Sequence, residues 1–340
     1  MKKVLSLSDT NVLKGIALLL LLFHHCFEPG RSYADIYIGE VGIVAELAAF
    51  CKLCVVIFVF LSGYGLTFSV EKQGGVLDIF QFYRKRYVKL MMNYWLIWIL
   101  FVPLGVFVIG RTFQEVYVHH VLAKSFLDFF GLYYAATGDY WGYNATWWFY
   151  GCIIMLYLMF PLLYKLRTQP IWLLPLTFVF TWQAWRLPFI HACANYLLAF
   201  VVGMLMAKQG FTPPPLHVNK CKKLAYILCF LVVCLYRRYS QHALWWDVAI
   251  MLAGCHLYLW LQLPKLFSIV LAFLGKHSFN IFLFHTFLYA YYFEQWIYWS
   301  SNPILIYLTL LFSCLAISIV IEWLKEKLGV KRLESVLIGS

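Results

Sequence analysis

ELAAFCKLCVVIFVFLSGYGLTF, residues 46–68, is a run in which Glu46 and Lys52 are the only charged side chains. Its length matches the ~20 apolar residues that a helix needs to cross a ~30 Å hydrocarbon core. Working outward, similar apolar runs fall near 12–27, 90–110, 147–165, 170–187, 194–208, 223–240, 244–262, 277–296 and 303–323. The chain as a whole is 63% hydrophobic and 12% charged, far from the balance of soluble domains. No soluble core absorbs that much apolar side chain. These observations predict an all-α fold, a polytopic bundle of about ten transmembrane helices forming one membrane domain over residues 1–340.

The first run has Lys2 and Lys3 ahead of it, as a signal peptide does. Its apolar core is interrupted by His24 and His25, and no small-residue cleavage site follows, so it reads as a retained first helix. The 10 cysteines lie mostly in apolar stretches without the paired spacing of a zinc site, as reduced packing residues do. The net charge of +12 comes from Lys and Arg scattered through short segments and not from one basic stripe, so no nucleic-acid partner is expected.

With the first terminus cytoplasmic, 20 Lys and Arg fall on inner segments and 6 on outer ones. That bias predicts that both termini are cytoplasmic. The outer segment 111–146 carries Tyr133, Tyr134, Asp139, Tyr140, Trp141 and Tyr143, a composition suited either to an interfacial aromatic belt or to sugar stacking. The inner segment 69–89 ends in FQFYRKRYVKL, which suits an amphipathic helix lying on the cytoplasmic leaflet. Residues 209–223, with Pro213-Pro214-Pro215, read as a linker.

Ionisable groups inside spans are costly and therefore informative. His24, His25, His285 and Lys52 are such groups. Counted from Lys14, His25 lies about 16 Å along its helix, and counted from Lys276, His285 lies about 13 Å along its own. Two imidazoles at similar depth near the midplane suit proton transfer, or each simply hydrogen-bonds a neighbouring helix. His24 and His25 are about 100° apart on a helix, so they face different partners. Arg84, Lys85, Arg86 and Lys89, at the start of the third span, suit either a polyphosphate or anionic lipid. No Walker loop, HExxH or GxSxG occurs, and no metal is expected.

Five segments, in order, resemble the acyltransferase 3 family of integral membrane O-acyltransferases, whose bacterial members commonly modify cell-surface sugars. NVLKGIALLLLLFHH is similar to the family's start, with Lys14 eleven residues before His25. FVFLSGYGLTF resembles its Phe-x-x-Ser-Gly-Tyr element at Ser62, Gly63 and Tyr64. FYRKRYVKLMMNYW is similar to its Arg-x-x-Arg element, here Arg86 to Lys89. NATWWFYGCIIMLYLMFPLL resembles its aromatic lead into a helix. LGKHSFNIFLFHTF is similar to its late element, here Gly275, Ser278, Ile281 and His285. Two departures stand out: Lys89 replaces an arginine, and Ile153 lies close to where many members place an acidic residue.

The resemblance implies transfer of an acyl group, with acetyl the commonest, from cytoplasmic acyl-CoA as co-substrate to a hydroxyl of a surface glycan or lipid-linked saccharide. It implies that Arg84, Arg86 and Lys89 bind the acyl-CoA phosphates, that His25 is the catalytic base or a transient acyl carrier, and that His285 orients it or donates to the thioester carbonyl. Ser62, Gly63 and Tyr64 would line the acyl path or make a helix contact, with Asn144, Trp147 and Trp148 on the acceptor side, where the two tryptophans suit either acceptor stacking or an interfacial belt. The rival reading from the residues is a proton-coupled transporter or flippase of a surface glycan or lipid intermediate, against which stands the lack of a visible repeat between the two halves.

Overall fold

Ser6 and Asp9 start the first helix reciprocally, the serine hydroxyl capping the Asp9 N–H and the Asp9 carboxylate accepting the Ser6 N–H at 2.8 Å. A leucine-rich run then carries α1 from Leu7 to Cys26. The computed structural model describes residues 4–184, 191–211, 220–238, 243–261 and 263–339. Lys2, Lys3, Arg186 and the triple proline of the expected linker lie outside them.

A two-residue hairpin, β1 (Tyr37–Ile38) and β2 (Val41–Gly42), leads into α2 (Ile43–Cys51) and α3 (Leu53–Lys72). Next come α4 (Ile79–Leu104), a π-helical turn over Gly105–Ile109, and three short helices: α5 (Phe113–Tyr117), α6 (Val121–Phe129) and α7 (Tyr133–Thr137). A 3-10 turn at Ala145–Trp147 opens α8 (Trp148–Leu166), followed by α9 (Pro170–Ala184), α10 (His191–Gln209), α11 (Lys220–Arg237) and α12 (Ala243–Leu261). The chain finishes with α13 (Lys265–Thr286), a π-helix over Phe287–Tyr292, α14 (Glu294–Ile297), α15 (Pro303–Lys327) and α16 (Val330–Ile338).

The all-α membrane architecture is as the hydropathy predicts. Among the described residues 7 helices are long and apolar enough to cross a membrane: 7–26, 43–72, 79–109, 145–166, 191–209, 265–292 and 303–327. Three further apolar helices, near 170–182, 224–237 and 245–261, are shorter, at 10–17 residues. The basic cluster is not on a separate surface helix. Asp78 caps the Gln81 N–H at 3.0 Å and α4 runs unbroken from Ile79, so Arg84, Arg86 and Lys89 occupy the first turns of the membrane helix itself. Lys52, exposed, marks the break between α2 and α3. Segment 111–146 is a folded cap with Tyr133, Tyr134 and Tyr143 buried and Trp141 exposed, because three short helices turn the rings inward.

Two glycine crossings hold the bundle. A Cβ on Gly15 would overlap the Leu271 carbonyl, and one on Gly275 would overlap the Asn11 carbonyl, so α1 and α13 touch backbone to backbone. Gly63 and Gly203 do the same for α3 and α10 against the Phe200 and Phe60 carbonyls. Helices in lipid associate by such close approach, since the tails around them are as apolar as leucine. Polar ties reinforce the bundle: Lys325, buried on α15, gives its three protons to Asn93, Asn280 and Glu322 at 2.5, 2.6 and 2.7 Å.

Overpacking a tight contact costs about 1–3 kcal/mol. Gly275→Ala therefore lowers the melting temperature in detergent, whereas Gly65→Ala, whose Cβ meets nothing within 4 Å, leaves it unchanged. Equal melting temperatures for the two variants in a thermal-shift assay would remove the crossing from its structural role.

Candidate functional site

The last turn of α1 carries His24 and His25 in different directions. His24 Nδ1 meets the Ala48 carbonyl of α2 at 2.8 Å, which ties it into the packing. His25 faces the other way, its ring centroid 5.0 Å from that of His285 on α13. The chain leaves the helix at Phe27 and turns Glu28 back under His25, so that Glu28 Oε2 lies 3.2 Å from His25 Nδ1. Tyr289 Oη lies 3.1 Å from the same nitrogen.

These contacts assign the tautomers. A carboxylate accepts, so His25 Nδ1 carries its hydrogen, and in the neutral ring Nε2 presents a lone pair. At His285, Nδ1 lies 3.0 Å from both the Ile281 and Phe282 carbonyls and donates to them. Its Nε2 is therefore also bare, and it is buried without a hydrogen-bond partner among the described residues. Two imidazole lone pairs thus sit side by side, one on a ring 16% exposed and the other on a residue wholly enclosed. A histidine fixed by a carboxylate with its second nitrogen free is the arrangement that takes a proton from a hydroxyl.

Arg31 completes the support. It holds Glu28 at 3.0 Å and Glu294 at 2.9 Å, with its guanidinium 4.9 Å from the centre of the Tyr289 ring. Burial alone would raise the Glu28 pKa, but the hydrogen bonds and charges of His25 and Arg31 more than offset it and bring it down to about 2. Glu28 is a carboxylate at any pH near neutral.

The pair is not at the middle of a span. The Trp147 indole donates to the Leu283 carbonyl at 2.8 Å, and Thr146 Oγ1 lies 2.8 Å from Thr286 Oγ1, so His285 is level with the first turn of α8. The depth expected from Lys14 fails because α1 begins at Leu7, seven residues before that lysine.

The other sequence-selected residues separate into groups. Asn144 and Trp147 are buried and fasten α8 to α13, the Asn144 amide donating to the Leu283 carbonyl at 3.4 Å. Trp148 is half-buried beside Tyr140 and Tyr196. Ser62 bonds its own helix at the Phe58 carbonyl, Gly63 makes the crossing with α10, and Tyr64 OH accepts the Leu5 N–H at 2.8 Å. The basic trio does not converge. Arg84 Nε donates to the Leu337 carbonyl at 2.7 Å and Lys89 pairs with Glu334 at 3.5 Å, both on α16. Arg86 turns instead into a hollow of about 270 Å³ between α4 and α8, walled by Leu90, Ile154, Tyr157 and Leu158. Among the described residues no group of three His, Cys, Asp or Glu could hold a metal.

Sequence reasoning missed Glu28, Arg31, Tyr289 and Asp128. The first two follow His25 at steps of three, a spacing that could have exposed them. Asp128 is buried in the cap, where its carboxylate accepts from Tyr117 OH and from the Tyr143 N–H at 2.9 Å, while Tyr94 OH donates to its carbonyl at 2.6 Å. Burial raises its pKa to about 6 despite those donors, above the ordinary 3.8. A carboxyl that binds its proton more tightly when folded gives stability fully present below pH 3.8 and lost as pH rises through about 6. The melting temperature in detergent is accordingly expected to fall over that window, and Asp128→Asn to flatten the fall. An identical slope in both proteins would assign it elsewhere.

A family model described as an acyltransferase domain matches residues 8–323, a range that includes both histidines. No curated protein and no solved structure matches the chain.

Proposed function

The chain belongs to the acyltransferase 3 family, and from that premise we propose that this membrane-embedded acyltransferase moves an acyl group, acetyl in the first instance, from cytoplasmic acyl-CoA to a hydroxyl of an extracytoplasmic or lipid-linked glycan. The observation that carries the reading is His25, held through Nδ1 by Glu28 with Nε2 open, beside His285. The charge bias of the loops supports cytoplasmic termini in a cell inner membrane, with the histidine pair toward the extracytoplasmic end of the bundle.

In this mechanism the acceptor hydroxyl gives its proton to His25 Nε2 as its oxygen attacks the thioester carbonyl carbon. The carbon–sulfur bond breaks, and the departing thiolate takes the proton back from His25, leaving an ester and free CoA. Glu28 steadies the imidazolium that exists between these two transfers. His285 Nε2 accepts, so in this tautomer it holds a neighbouring hydroxyl of the acceptor instead of polarising the carbonyl. On the donor side, Arg86 is the member of the basic trio that opens onto a hollow, and its guanidinium suits a phosphate there. Arg84 and Lys89 add positive charge at the same end of α4.

Acetyl-CoA turnover by the purified protein in nanodiscs, followed by mass spectrometry, tests this. General-base catalysis contributes about 10²–10⁴-fold, so His25→Ala is expected to lose turnover by that factor. Glu28→Gln lowers kcat by a smaller factor with the donor KM unchanged, and Arg86→Gln raises that KM. Wild-type turnover in His25→Ala would end the assignment, and acceptor crossing liposomes without any donor would favour a carrier instead.

A further inference from the structure

Arg111 is a cation that pairs with no carboxylate among the described residues. Gly110, at φ 89°, ends the π-helical turn before it and swings the chain back. The Arg111 N–H then donates to the Gly105 carbonyl at 3.0 Å, and its own carbonyl accepts Tyr143 OH at 2.8 Å, so the main chain beneath the side chain is fixed. The guanidinium carbon lies 3.9 Å from the centre of the Tyr291 ring and 5.4 Å from that of Tyr143. Nη2 donates to the Tyr143 carbonyl at 3.2 Å. Nε is buried without an acceptor among the described residues, and no described carboxylate pairs with the group. Glu115, four residues on, is committed to the cap of α5, accepting the Thr112 N–H at 2.9 Å. Arg31, by contrast, is neutralised by Glu28 and Glu294.

Aromatic contact covers the faces of a guanidinium and leaves its edge, a planar fork of donors matched to a carboxylate or phosphate. A buried donor left without a partner calls for an explanation, and a ligand is one. The position suits an acceptor. Tyr291 is six residues beyond His285 on the same continuous helix, about 9 Å along its axis. Tyr289, from the same π-helical turn, touches His25.

We propose that Arg111 binds an anionic group of the acceptor, a carboxylate or a phosphate, and so selects acidic acceptors over neutral ones. This rests on the acyl-transfer reading above.

The test uses the full chain in phosphatidylcholine nanodiscs and measures melting temperature against methyl glucuronide, inorganic phosphate and neutral methyl glucoside. At least one anion is expected to raise the melting temperature while the glucoside does not. Arg111→Gln weakens that apparent affinity tenfold or more, Arg111→Lys keeps part of it, and acetyl-CoA turnover with water as acceptor keeps its donor KM in both. A response to glucuronide alone identifies a sugar carboxylate, and one to phosphate alone a phosphate-bearing acceptor. No shift with either anion, or a shift that survives Arg111→Gln, overturns the proposal. Absent acetyl-CoA turnover in the wild type would instead overturn the acyl-transfer reading, leaving the binding result to stand separately.

Discussion

The contact between Gly15 and Gly275 sets the register on which the candidate site depends. At that point two helix backbones meet with no side chain between them, so α1 and α13 cannot slide without forcing a carbonyl into a Cα. His25 and His285 each stand ten residues beyond the glycine on their own helix. Equal spacing on two helices that run the same way brings the rings level, as their 5.0 Å separation shows. The second crossing, Gly63 with Gly203, fixes α3 against α10 in the same manner and leaves the rest of the bundle to pack around two rigid pairs.

Around this frame the polar groups fall into closed and open sets. Lys325 with Asn93, Asn280 and Glu322 is closed, every ammonium proton having an acceptor. Arg237 with Asp247, and Arg167 with Glu71, are closed in the same sense. Such groups serve cohesion, because breaking one partner away would leave the other charged and dry. Thr67 Oγ1, Trp98 Nε1 and Ser125 Oγ are buried with no partner among the described residues, and so are His285 Nε2, Arg86 Nε and Arg111 Nε. The last three lie at the places where the acyltransferase reading needs a ligand.

Hydropathy made the fold class legible, because a helix is the economical way to satisfy the backbone in lipid and long apolar runs betray it. It misjudged boundaries where a basic residue within a helix was taken for its end. The basic start of α4 and the stretch of α13 before Lys276 both read as something other than membrane helix. His25 and His285 were legible as costly residues, and their pairing followed from similar depth. Glu28 and Arg31 were not, since they lie in the turn after α1, where a charged residue looks unremarkable until the chain folds back. The aromatic cap was misread for a related reason. Tyrosines at an interface and tyrosines around a buried Asp128 have the same composition, and only the folding of three short helices tells them apart.

The α1–α13 contact also carries a consequence for how the molecule is made. Its two halves are separated by 260 residues, so a helix made early packs against one made much later. At about 5–20 residues per second, α1 waits roughly a quarter to nearly a whole minute for its partner. Throughout that interval His25 has none of its final neighbours on α13, and lipid is a poor substitute for them. A bundle built this way needs its opening helix kept sheltered beside the insertion machinery, and its assembly is governed as much by the order of synthesis as by the strength of the finished contact.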